Sequence, residues 1–233
     1  MTRILLCLLM LSSASLTIDA EEYDSNFSFG LKGSSLGVGV EISKAYREKL
    51  SFRLAYHFLD RSDEFEDGDT TYTGDLELSN GGLFADWHIF DGGFRVTGGL
   101  MLNNNEVTLI AKPTAGLSVD IGNTTYDVSG GEVNGKVNFN SFAPYLGMGW
   151  GKPVGISSKW AFLFDLGVMF QGTPDIDLRT AGTIRVGGID VSTVPALQAT
   201  LQTELDREIA KIEDDLDDFK LYPVLSLGVS YQF

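Results

Sequence analysis

The chain has 233 residues with 27 glycines, 6 prolines and one cysteine, and its net charge is −15. That charge opposes phosphate backbones, so nucleic acid is excluded as a partner. Hydrophobic residues at 43% and charged residues at 21% exclude a disordered chain. Beyond the first twenty residues no apolar run reaches the ~20 residues of a membrane-spanning helix, which leaves a β-barrel as the only membrane architecture open.

Residues 1–20 read as a cleaved signal peptide. Arg3 precedes an apolar segment at 4–11, and small, polar residues follow up to Ala20. Cleavage is expected after Ala20, with a cut after Ala14 as the alternative. Cys7 lies inside this segment, so residues 21–233 hold no cysteine and build their stability without disulfides or thiolate chemistry.

From residue 27 the chain alternates with period two. At 50–58 one face carries Leu50, Phe52, Leu54, Tyr56 and Phe58, and the other Ser51, Arg53, Ala55 and His57. Trp160, Phe162, Phe164, Leu166, Val168 and Phe170 oppose Ala161, Leu163, Asp165, Gly167 and Met169. Segments 94–102, 142–150 and 221–233 behave alike. One face is bulky, continuous and uncharged, whereas the other is small, glycine-rich and sparsely charged. A soluble sandwich buries its bulky face and exposes a densely charged one. A transmembrane barrel reverses this, with bulky residues toward lipid and polar residues inside. A secreted lipocalin-like barrel is the soluble alternative and would turn the bulky face inward.

Short connections at 43–49, 91–93 and 152–159 are read as alternating with long ones at 60–71, 103–140 and 172–219, as periplasmic turns alternate with external loops. Trp87, Phe90, Phe94, Trp150 and Trp160 gather at the short-turn end as an interfacial girdle. Phe58, Tyr72, Phe142 and Phe170 suggest a second belt. Seven strands are clear: 27–43, 48–60, 71–90, 93–110, 137–151, 159–174 and 220–233. The eighth comes from splitting 27–43 at Gly33-Ser34-Ser35 or from 114–128. The phase change at 79–82 reads as a bulge. The expected fold is all-β: an antiparallel, transmembrane, up-and-down β-barrel of about eight strands. In the last long loop, 195–219 is an amphipathic helix, with Leu197, Leu201, Leu205, Ile209 and Ile212 at helical spacing.

These features resemble the small outer-membrane β-barrel proteins of Gram-negative bacteria, the OmpA-, OmpX- and OmpW-like group. The resemblance covers the signal peptide, the alternating strands and the end of the chain. It implies insertion into outer-membrane lipid. It also implies a carboxy-terminal signal read by the barrel-assembly machinery, here Leu225, Leu227, Val229, Tyr231 and Phe233. No subfamily follows from it.

Glu41, Arg53, His57, Asp86, His88, Arg95 and Asp165, together with Lys32, are placed in the lumen. Charges inside a narrow barrel must be paired, so they read as a structural salt-bridge network before they read as an ion path. The chain has two histidines and no His-x-Ser pairing. His57 near Ser62 is the nearest approach to a nucleophile and base, and no catalytic role is assigned. No cofactor is expected. The acidic segment 60–69 and the cluster at 214–218 are carboxylate-rich sites of a kind that divalent cations bind, though without EF-hand spacing. The function expected is non-enzymatic, either a structural and surface barrel or a narrow channel for small solutes. A binding or adhesion barrel using its outer loops is the alternative, and a lipid-modifying enzyme a more distant one.

Overall fold

The structure, a computed structural model, describes residues 27–67, 70–90, 92–113, 117–121, 124–154, 159–215 and 217–233. The signal-peptide assignment, with its two cleavage sites, falls outside these residues, as does part of both acidic segments.

Eight antiparallel strands close a ring. In spatial order they are β1 (Phe27–Ser34), β2 (Gly37–Arg47), β3 (Leu50–Asp67), β4 (Thr70–Trp87), β5 (Arg95–Asn103), β9 (Phe142–Trp150), β10 (Trp160–Phe170) and β13 (Leu221–Gln232), which returns to β1. The alternation read from sequence holds around this ring. Phe52, Leu54, Phe162, Leu166, Leu227 and Val229 lie on the outer surface, while Arg53, Asp165, Ser226 and Ser230 are buried inside. Strands of 9–12 residues such as β9, β10 and β13 match the ~9–11 that cross a bilayer.

The eighth strand comes from the split at 33–36, not from 114–128. Ser35 and Leu36 form a two-residue turn. Ser35 is held on the neighbouring strand by bonds to Pro223 O (2.9 Å) and from Tyr222 OH (2.7 Å). Gly37 follows at φ 97°, and a Cβ there would collide with the Phe58 carbonyl, so the turn demands glycine. This tight hairpin breaks the strict alternation of short and long connections.

The long connections are also corrected: 60–71 and 103–140 are mostly strand, and 172–219 carries strand ahead of its helix. β3 and β4 continue past the ring as one hairpin, with Asp60 to Glu66 paired residue for residue onto Glu77 to Thr71. The added length is roughly 25 Å at ~3.3 Å per residue. β6 (Glu106–Pro113), β8 (Thr124–Asn138) and β11 (Asp175–Val186) extend β5, β9 and β10 in the same way, and form an outer sheet in the order β3–β4–β6–β8–β11. Short β7 (Leu117–Ile121) and β12 (Ile189–Asp190) flank its tip.

No bulge exists at 79–82; the β3–β4 register runs through it unshifted. What changes is the surroundings. Below the junction, even residues of β4 face the lumen and are Asn80, Gly82, Phe84 and Asp86. Above it the same phase carries Leu76 and Tyr72, and neighbours them with Val107, Leu109, Val137 and Leu178. The opposite face carries Asp60, Glu77, Glu106, Asp75, Lys136 and Asp177. The polarity of the sheet therefore inverts where it leaves the ring.

Helix α1 (Pro195–Asp215) crosses only one end of this sheet. Leu197, Leu201 and Leu205 pack on Tyr126, Ile184, Val186 and Val191. The Tyr126 hydroxyl donates to Glu204 Oε2 at 2.6 Å. Burial first, and then Glu204, push the Tyr126 phenol up to about 12. The docked helix favours the neutral phenol, so docking is intact below pH ~10 and weakens as pH rises from there through the shifted value. Hydrogen exchange of α1 measured across that range should show the loss. Tyr126→Phe should abolish the pH dependence and cost about 1–3 kcal/mol of local stability.

Candidate functional site: the barrel lumen

The inward phase of the ring supplies a stack of layers. In the middle layer, six charged side chains from six strands meet: Lys32, Glu41, Arg53, Asp86, Arg95 and Asp165, all at most 6% exposed. Lys32 Nζ lies 2.8 Å from Glu41 Oε2 and 2.5 Å from Asp165 Oδ2. Arg53 spans three carboxylates, at 3.3 Å from Glu41, 3.0 Å from Asp86 and 3.3 Å from Asp165. Arg95 pairs with Asp165, approaches Asp86 at 3.6 Å and donates to the Gly151 carbonyl. Thr97 donates to Asp86 at 2.6 Å and Ser226 to Asp165 at 3.3 Å. Three cations face three carboxylates, so the buried layer is electrically neutral, as burial requires.

The glycines of the small face make room for this layer. A Cβ at Gly228 would strike the Lys32 side chain, one at Gly149 the Asp165 and Arg95 groups, and one at Gly39 the His57 ring. Small residues on one strand and long ones on the next let side chains fill a narrow ring.

Directly above lies an apolar septum of Leu36, Ala55, Phe84, Met101, Ala143, Tyr145, Met169 and Val224. Phe84 and Tyr145 meet edge-on at 5.1 Å, and Arg53 sits 5.1 Å from the Phe84 ring. A cavity of about 20 Å³ separates septum from charges, lined among others by Lys32, Arg53, His57 and Tyr145. Above the septum, at the junction with the outer sheet, amides close the rim. Asn80 donates to Asn105 at 2.7 Å, Asn103 to the Asn140 carbonyl at 3.2 Å, and Gln171 to the Phe219 carbonyl at 2.9 Å.

His57 is thus beside the charged layer, and His88 lies toward the opposite, girdle end, where its backbone N–H donates to Lys49 O at 2.8 Å. The hydroxyls of Ser28, Ser43, Ser51 and Ser230 are buried and have no partner among the described residues. Buried hydroxyls of this type are satisfied by internal water. Ser62 is exposed on the opposite phase of β3 from His57, so that pair does not assemble. Among the described residues, no three His, Asp or Glu side chains converge on a point that would hold a metal ion.

Sequence reasoning missed the septum and the amide rim. The signal was present: Phe84, Met101, Tyr145 and Met169 are bulky residues on the otherwise small phase, and Asn103-Asn104-Asn105 interrupts the alternation.

At the girdle end Phe90, Phe94, Trp150 and Phe164 form a chain of ring contacts at 6.1, 5.2 and 5.7 Å. Trp160, Tyr231 and Phe233 continue it at 5.0 and 5.4 Å, and Trp87 is exposed at the same end. Tyr72 does not belong to a second belt. It stacks on Phe65 at 5.1 Å in the outer sheet.

No protein-family model matches the chain, and no curated protein sequence matches it. Solved structures do. Acinetobacter baumannii CarO is 22% identical with a TM-score of 0.55, over 88% of this chain and 97% of that one. Acinetobacter baumannii CarO2 is 20% identical with a TM-score of 0.56, over 89% and 98%. A major outer membrane protein from Thermus thermophilus aligns at 13% identity and a TM-score of 0.39, over 89% and 99%. The likeness to the first two is one of fold, that of an outer-membrane β-barrel.

Proposed function

We propose that the chain is a structural, surface-exposed protein of a Gram-negative outer membrane, whose ring anchors the outer sheet and conducts nothing through its lumen. The sealed cross-section supports this reading. The neutral charged layer and the septum above it leave a cavity of about 20 Å³, on the order of the space of one water. A solute would have to break paired, desolvated charges and then cross an apolar barrier with no polar partner. The apolar band on the ring supports insertion in lipid, and the girdle marks the periplasmic interface. On this orientation the outer sheet and α1 face the medium. Leu225, Leu227, Val229, Tyr231 and Phe233 lie along the lipid-facing phase of the closing strand, where assembly machinery would reach them before the β1–β13 seam forms. No catalytic role is included in this reading; among the described residues His57 and Ser62 lie on opposite phases of β3.

The folded protein, identified by a gel mobility that changes on boiling, should show no conductance steps in a planar bilayer. Stepwise, ohmic conductance from that folded band would overturn the closed-barrel reading. Recovery of the chain in the soluble fraction would overturn the membrane one.

A further inference from the structure

On the outer phase of β2, Val38, Val40 and Ile42 are followed by Lys44, which is exposed, while Glu41 and Ser43 on either side of Ile42 are buried. Lys44 therefore points out of the ring and not into it. Its ammonium lies 4.7 Å from the centre of the Phe27 ring on β1. Arg47 ends the same strand with its guanidinium 5.4 Å from the Tyr46 ring, and Tyr46 meets Phe52 edge-on at 5.8 Å. Phe27, Tyr46 and Phe52 are all exposed. Cations of the outer sheet are held differently: Arg61, Lys112, Lys136 and Arg179 each pair with a carboxylate. No carboxylate pairs with Lys44 or Arg47 among the described residues, and both charges rest against ring faces.

Beside these cations the apolar band is not smooth. Leu31, Trp150, Phe162, Phe164, Leu227 and Val229 wall a groove of about 590 Å³ on β1, β9, β10 and β13. Leu31 lies four residues above Phe27 on β1, ~13 Å at ~3.3 Å per residue. That is within the ~15 Å depth of one leaflet's hydrocarbon. Between groove and cations lie the girdle rings of Trp160, Tyr231 and Phe233. A cation, an aromatic layer and an apolar groove in that order match the phosphate, the glycerol region and an acyl chain of a lipid. We propose that this side of the ring binds an anionic phospholipid of the periplasmic leaflet, with its phosphate at Lys44 and Arg47 and one acyl chain in the groove. The inference rests on the membrane orientation given above. A second copy meeting this surface with the same surface would set like charge on like. Glu21, Glu22 and Asp24 precede Phe27 in the sequence and are the rival partner for the two cations.

The probe is phosphatidylglycerol, offered with an equal amount of phosphatidylcholine of the same acyl chains in nanodiscs that hold the full-length protein. Native mass spectrometry of the released protein counts the lipids it retains. One phosphatidylglycerol should stay bound, preferred over phosphatidylcholine by about fivefold for each cation that meets the headgroup. Lys44→Gln with Arg47→Gln should bring the two lipids to equal retention. Lys112→Gln with Lys136→Gln, which removes as much charge from the outer sheet, should leave the preference intact. Leu31→Trp exchanges one outward apolar residue for a larger one, fills the groove and should lower retention of both lipids. Boiling-dependent gel mobility confirms the fold of each variant. A folded barrel with no preference for phosphatidylglycerol overturns the proposal and leaves the membrane reading standing, whereas a chain recovered soluble overturns both. A preference that survives Lys44→Gln with Arg47→Gln, or unchanged retention in Leu31→Trp, also overturns it. So does a preference that appears only after Glu21→Gln, Glu22→Gln and Asp24→Asn, since the chain's own acidic segment would then hold the cations.

Discussion

Asp165→Ala is expected to destabilise the folded barrel by about 3–5 kcal/mol, because it strands buried cations with too few carboxylates. Asp165 is the node of the charged layer, holding Lys32 at 2.5 Å, Arg53 at 3.3 Å and the Arg95 guanidinium. Without it, three cations share Glu41 and Asp86 in a space of low polarity. Asp165→Asn keeps the shape and a hydrogen-bond acceptor but removes the charge, so its cost should fall below that of alanine and remain well above zero. The diagnostic variant adds Lys32→Met to Asp165→Asn. Charge balance returns, Met occupies the space beside Gly228, and much of the lost stability should return with it. Urea titration of vesicle-inserted protein gives these values. A loss below about 1 kcal/mol for Asp165→Ala would mean that solvent reaches the layer, and the sealed-lumen argument would fall.

The ring was legible because one physical pattern governs it. An apolar outer surface and a crowded polar interior leave every strand with the same instruction, so parity alone sorts Phe52 from Arg53 and Leu227 from Ser226. The outer sheet was not legible as strand because that instruction reverses. Leu76 and Leu78 continue the inward phase of Asn80 and Phe84 in a place where no lumen remains. A change of environment along an unbroken strand looks, in sequence, like a change of phase. Segments 60–71, 103–140 and the first part of 172–219 read as loops because long connections are expected to alternate with short turns. Their charges at Asp60, Glu106 and Asp177 are one side of a sheet. The helix was visible at 195–219 because Leu197, Leu201 and Leu205 recur at helical spacing, and the structure places it at Pro195–Asp215. The charged residues of the lumen were named one by one, but their pairing depends on which strands adjoin across the ring. Lys32 meets Asp165 across 133 residues of sequence, and no local pattern encodes that.

The assignment of lipid to the bulky face predicts a large, location-dependent effect for one and the same substitution. Leu227 is 63% exposed on β13, opposite Phe164 and midway along the strand. In water, an exposed leucine changed to arginine would shift stability by no more than about 0.5 kcal/mol in either direction. Within a bilayer, Leu227→Arg must bring a guanidinium toward the midplane and should cost about 2–4 kcal/mol. Val107, 40% exposed but above the ring, is the internal comparison. Val107→Arg should stay within about 0.5 kcal/mol, because water lies beside it. Ser226, the inward neighbour of Leu227, reports the other side. It is 4% exposed and bonded to Asp165, so Ser226→Leu should fail by overpacking, at about 1–3 kcal/mol. Folding into vesicles across a urea series measures all three. If Leu227→Arg and Val107→Arg cost the same small amount, the ring's outer surface meets water and the barrel does not cross a membrane. If only Leu227→Arg is costly, the surface that the sequence made bulky is the one that lipid covers.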